Sequence, residues 1–140
     1  MNYVDSFIAV ADDCPVQSGV VPPAKPDKKM SVAAIQYELL ADAPYIYTQE
    51  DVLFQTHVRH KGILTAEVET RGEALRAEFF ARPQACLRAS PLARRYGWGF
   101  HFDRVGKVAL YPMESRGYRT FAIGGQGGPT VLKALRSNRA

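Results

Sequence analysis

Residues 96–113 read YGWGFHFDRVGKVALYPM, a stretch that carries a complete antiparallel pairing register. Asp103 and Gly106 stand first and fourth in a four-residue turn, the preferences of a type I turn. With Gly106 left-handed in a bulge, Asp103 pairs with Lys107 and the partners follow outward. Phe102 then faces Val108 and Phe100 faces Leu110, with Trp98 extending the apolar face. His101 faces Ala109 and Gly99 faces Tyr111 on the other side. A slip of one residue would mix the two faces, so the pattern sets the register. The side bearing His101 is expected to look outward.

The other elements follow from this hairpin. Residues 4–11, VDSFIAVA, are short and apolar on both faces, which suits an interior strand paired with the hairpin. Residues 12–30 hold prolines at 15, 22, 23 and 26 and read as a long irregular connection. Ser31 is a candidate N-cap for VAAIQYELLA, in which Val32, Ile35, Gln36, Leu39 and Leu40 share one helical face before Pro44. Thr48 with Asp51 resembles a capping box for a second helix running to about His60, with Gly62 as its stop. A third helix is expected over residues 66–82, with Val68, Leu75 and Phe79 in one stripe and Pro83 beyond. Residues 114–121 allow a further short helix.

These elements define a single α+β domain over residues 1–121, with about three helices packed on a small antiparallel sheet. The N-terminal strand and the 98–111 hairpin form that sheet. Residues 122–140 read as a Gly-rich linker and basic tail, with VLKALRSNRA as a transient helix.

Charge follows the same division. All 14 acidic residues lie at or before Glu114, so residues 1–115 carry net −1 and residues 116–140 carry +5. A near-neutral body argues against whole-surface attraction to nucleic acid. No apolar run approaches the ~20 residues of a membrane span. The start MNYVDSFIAVADDC lacks a secretory pattern, and two cysteines make no disulfide framework. A cytoplasmic location is the resulting expectation.

Three groupings could carry chemistry. Between residues 82 and 107 six basic side chains (Arg82, Arg88, Arg94, Arg95, Arg104, Lys107) stand against one acid, Asp103. Guanidinium forks suit phosphate or carboxylate, and Tyr96 could stack on a base or sugar. His57 and His60, three apart on a helix, could join His101 and Asp103 around a metal, although nothing in the sequence brings them together. Cys86, beside Arg88, could act as a nucleophile with a histidine base, but an inert thiol is far commoner. Ser90 lacks a nucleophile elbow, and the glycines at 124–128 lack the Lys-Ser/Thr of a phosphate loop. Tyr37, Tyr45, Tyr47 and Trp98 read as packing residues.

Three segments, VDSFIAVADDCPVQSGVVPPAK (4–25), QYELLADAPYIYTQEDVLFQTHVRHKGI (36–63) and CLRASPLARRYGWGFHFDRVGKVALYPMES (86–115), resemble a family of small bacterial proteins of unknown function. The resemblance covers most of residues 1–118 and excludes the tail. It implies a single domain and supplies no activity, substrate or catalytic residue.

The functional expectation is a non-catalytic binding or interaction domain. Its ligand-binding residues would be Arg94, Arg95, Tyr96, His101 and Tyr111, contacting an anionic small molecule or a protein partner. No cofactor or metal is expected. Nucleic-acid binding is the first alternative, because three helices before a hairpin resemble a winged helix in element order. Against it stand Glu50, Asp51, Glu67, Glu69, Glu73 and Glu78 on the second and third helices. A small enzyme using His101 with Asp103, or Cys86, is the second.

Overall fold

A computed structural model describes residues 1–25 and 27–138; Pro26 of the irregular connection and the last two residues of the basic tail lie outside the described residues. The elements, in chain order, are β1 (Ser6–Ala9), α1 (Val32–Ala41), α2 (Gln49–Lys61) and α3 (Thr65–Phe80). A 3-10 turn (Leu87–Ala89) and α4 (Pro91–Arg94) come next, then β2 (Trp98–Phe102), β3 (Val108–Pro112), α5 (Arg116–Ile123) and β4 (Thr130–Lys133).

The hairpin has the register its sequence dictates. Phe102 pairs with Val108, Phe100 with Leu110, His101 with Ala109 and Gly99 with Tyr111. Gly106 is left-handed at φ 84°. Asp103 closes the turn twice over, its carbonyl accepting from Gly106 N–H and its carboxylate from Val105 and Lys107 N–H.

β1 lies inside the sheet, as its two apolar faces require. One edge pairs antiparallel with β2, Phe7 opposite His101. The other edge pairs parallel with β4, Phe7 opposite Val131, so the strand order is β3-β2-β1-β4 and the sheet is mixed rather than antiparallel. Residues 131–133, expected to begin a transient helix, are thus part of a strand. Parallel neighbours need a crossover connection, and α5 supplies it across one face. Gly124, Gly125 and Gly127 all have positive φ, so the glycines turn the chain back onto β1 rather than letting it drift. Among the described residues there are five α-helices: α5 takes up the short helix allowed at residues 114–121, and α4 is the addition.

Helix ends follow their capping chemistry. Ser31 accepts from Ala34 N–H, and Thr48 with Asp51 forms the reciprocal capping box. Burial disfavours the Asp51 carboxylate, but the Thr48 bonds and Arg76 outweigh it and hold its pKa below the ordinary value. Gly62 is left-handed at the end of α2. α3 starts without a side-chain cap and departs from helical geometry at Arg71, next to Gly72. No residue of α3 is buried, and it touches α2 mainly through its C-terminal end, where Phe79 meets Phe54 and His57.

The core fills the space between the sheet and α1, α2 and α4. Ile8, Phe100, Phe102 and Val108 meet Leu39, Leu40, Val52, Leu87 and Leu92, with Tyr3, Tyr37, Tyr47 and Trp98 at the margin. The opposite face is also covered, by Tyr118 and Phe121 of α5. The hairpin is no free wing: β2 is paired on both edges, and the α1–α2 loop closes β3 through Tyr45 N–H to Val108 C=O and Val108 N–H to Tyr47 C=O.

Candidate functional site

The outward view expected for His101 is corrected by α5. The Phe121 ring stacks on the imidazole with centroids 3.8 Å apart and planes 7° from parallel. The Tyr45 hydroxyl sits between His101 Nδ1 and the Tyr111 hydroxyl, 2.8 Å from each. Burial lowers the His101 pKa against the pull of Asp103 and Asp5, and burial followed by the bond to Tyr111 raises that of Tyr45. Tyr45 reaches this position from a left-handed backbone at φ 60°, a conformation that costs a non-glycine residue about 1–3 kcal/mol. The cluster is a pinned, half-buried polar island.

The five residues expected to bind one ligand fall in separate places. His101 and Tyr111 meet beneath α5. Arg94 lies by the end of β4, its guanidinium donating to the carbonyls of Leu135 (3.1 Å) and Arg136 (3.4 Å). Arg88 likewise donates to Lys133 C=O at 2.7 Å. These arginines hold down the chain that forms and follows β4. Arg95 is exposed, and Tyr96 lines a separate hollow with Pro23, Lys25, Lys28 and Ser31.

A different concavity collects the remaining candidates. Between α1, α2, the end of α3 and residues 84–91 lies a cleft of about 290 Å³. Val32 and Gln36 come from α1, and Leu53, Thr56, His57 and His60 from α2. Both sets follow helical spacing, so two turns of each helix face the space. Phe79 and residues 84–87 and 89–91, Gln84 and Cys86 among them, supply the remaining wall. Thus His57, His60 and Cys86 do share a site, although His101 is on the far side of the sheet. The described residues hold no group of three His, Cys, Asp or Glu able to bind a metal ion.

The side chains of the cleft are held individually. His57 packs on the Phe79 ring, centroids 4.5 Å apart, and burial, then Lys61 and His60, lower its pKa. Neutral imidazole is the form this favours. Cys86 Sγ accepts from the Tyr3 hydroxyl at 3.2 Å, and burial and then that bond push the Tyr3 pKa up to about 12. Thr56 donates back to Val52 C=O, which satisfies its hydroxyl within α2. Gln36 and Ser90 are buried at the floor, the Ser90 hydroxyl donating to Gln36 Oε1 at 2.5 Å. Sequence reasoning placed Gln36 on the core face of α1 without drawing the consequence. A lone amide in an apolar stripe was the available signal.

Fold and site together define a small α+β domain with one mainly apolar cleft between helices and a polar floor. The chain belongs to DUF6157, described as a family of unknown function, whose model matches residues 1–140 and so includes the C-terminal segment outside the sequence resemblance. Comparison with curated proteins and with solved structures gave no match.

Proposed function

We propose that this chain is a non-catalytic binding domain and that its ligand occupies the cleft between α1, α2 and residues 84–91. The observation that carries the proposal is the make-up of that concavity: apolar walls from four segments converging on a buried amide. Small-molecule sites have this form, a few placed polar groups in a mainly hydrophobic hollow. At about 290 Å³ the space suits a compact molecule rather than a peptide. The Arg-rich approach to the hairpin is a weaker site, because Arg94 is already bonded to backbone carbonyls.

Ala89 lines the cleft, so Ala89→Trp would fill it. Purified wild-type protein and the variant would be incubated with the small-molecule fraction of a cell extract, desalted and analysed by mass spectrometry. The expected result is a compound retained by wild type and lost by the folded variant. Equal retention by both, or retention abolished instead by Arg94→Ala/Arg95→Ala, would refute the cleft assignment.

A further inference from the structure

We infer that the cleft takes a neutral, largely apolar carbonyl compound, and that the Gln36 side-chain amide receives its carbonyl oxygen. This rests on the cleft being the binding site. The inference comes from comparing two buried glutamines. Gln49, 1% exposed, uses both ends of its amide: Oε1 accepts from Leu87 N–H at 2.8 Å and Nε2 donates to Met1 C=O at 3.0 Å. Gln36, 4% exposed, uses one: Oε1 accepts from Ser90, and among the described residues nothing accepts from Nε2.

The orientation of the Gln36 amide follows from its neighbour. Ser90 Oγ accepts from Leu92 N–H at 3.2 Å, so its own proton is free to be given to an oxygen. Turning the amide over would put Nε2 against a hydroxyl that already accepts from Leu92 N–H and would take from the Ser90 proton the acceptor it has here. Gln36 lines the cleft, so an acceptor entering there can take the bond that its Nε2 does not make within the protein. Water can serve in the free protein, and a ligand carbonyl displaces it.

The charge of the ligand follows from the lining. Lys, Arg, Asp and Glu are all absent from the residues around the cleft. A carboxylate there would lose hydration and meet no Lys or Arg, only the imidazoles of His57 and His60, and burial favours the neutral form of His57. A hydrocarbon would fill the walls but leave the Gln36 donors unmet. A ketone, ester or amide satisfies both demands.

Three probes of one shape separate these cases: acetophenone, α-methylstyrene (methylene in place of oxygen) and benzoate. Each would be titrated into full-length ¹⁵N-labelled protein. Acetophenone is expected to shift the Gln36 side-chain NH₂ pair together with the backbone amides of Leu53 and Cys86. It should bind about tenfold more tightly than α-methylstyrene, the difference one hydrogen bond makes, and more tightly than benzoate. Gln36→Met should bring the acetophenone to α-methylstyrene ratio to about one; the wild-type NH₂ shift stands as a readout even if that variant fails to fold. Equal binding of acetophenone and α-methylstyrene, or tightest binding of benzoate, with Leu53 still shifted, would overturn the ligand class and leave the cleft standing. No shift at the cleft with any probe would overturn it too, and the Ala89→Trp comparison would then judge the cleft by itself.

Discussion

The sheet face under α1 and α2 and the face under α5 are built from alternate residues of the same strands, yet they differ in substance. Phe100, Phe102, Ile8 and Val108 are fully buried among aliphatic side chains on the first. On the second, Phe7 is equally buried, but Tyr118, Phe121, His101 and Tyr111 around it are only partly buried, and hydrogen bonds tie His101 and Tyr111 to Tyr45. Shape and area dominate one face. Directional bonds and ring stacking set the other. The difference teaches that a polar-looking face of a strand need not be a working surface, since a short helix with two aromatic rings can cover it.

Four measurements would break or sharpen this contrast. Phe100→Ala, which opens the aliphatic face, should cost about 3–5 kcal/mol in urea unfolding. A cost under about 1 kcal/mol would mean that face is not the main core. On the second face, adding a single carbon is the harsher change. A Cβ on Gly99 would lie 2.6 Å from Phe7 Cζ and 2.8 Å from Tyr118 Cε2, so Gly99→Ala should lose about 1–3 kcal/mol by overcrowding. If stability is unchanged, α5 does not sit as closely as described.

Tyr45→Phe keeps the ring and removes the hydroxyl shared by His101 and Tyr111. Its expected cost is about 1 kcal/mol, with the His101 ring resonances moved in the NMR spectrum. An unaltered His101 signal would contradict the polar island. The smallest effect is on pH. His57 in the cleft and His101 under α5 are both held below the ordinary histidine value, burial being the main cause in each. Between those lowered values and about 6.5 the unfolded chain binds protons that the native chain refuses. Stability should therefore fall as pH drops from about 6.5 through the folded values and level off below them. His57→Gln and His101→Gln should each flatten part of that slope, measured as urea midpoints between pH 7.5 and pH 5; a slope identical in wild type and both variants would exclude these two as its source.

The hairpin, three helices and the caps of the first two were legible because each is written in adjacent residues: an Asp-to-Gly turn, strict alternation, Thr48 three before Asp51; Thr65, in the position of a cap for the third, lies inside that helix instead. β4 was not. Four residues, TVLK, between glycines and arginines carry too little pattern, and what makes them a strand is the open edge of β1 more than a hundred residues earlier. The coverage of His101 was hidden for the same reason, since Phe121 meets it only after α5 crosses the sheet. Of the candidate site, the pairing of His57 with His60 was visible as helical spacing. The Gln36–Ser90 contact joins α1 to the start of α4, and only the oddity of an amide among Ile35, Leu39 and Leu40 hinted at it. The bonding of Arg88 and Arg94 was hidden because the carbonyls they meet belong to β4 and the residues just after it, a segment that reads as a tail in sequence.

The central place of β1 bears on how the protein is made. Translation delivers this greasy segment before either neighbour, and its parallel mate follows more than a hundred residues later, so a nascent chain must carry Phe7 and Ile8 without a lasting home until then. Such long-range closure is slow and exposes sticky intermediates. A released chain cut short before Thr130 would hold a three-stranded remnant with one bare flank, ready to recruit a strand from another such copy.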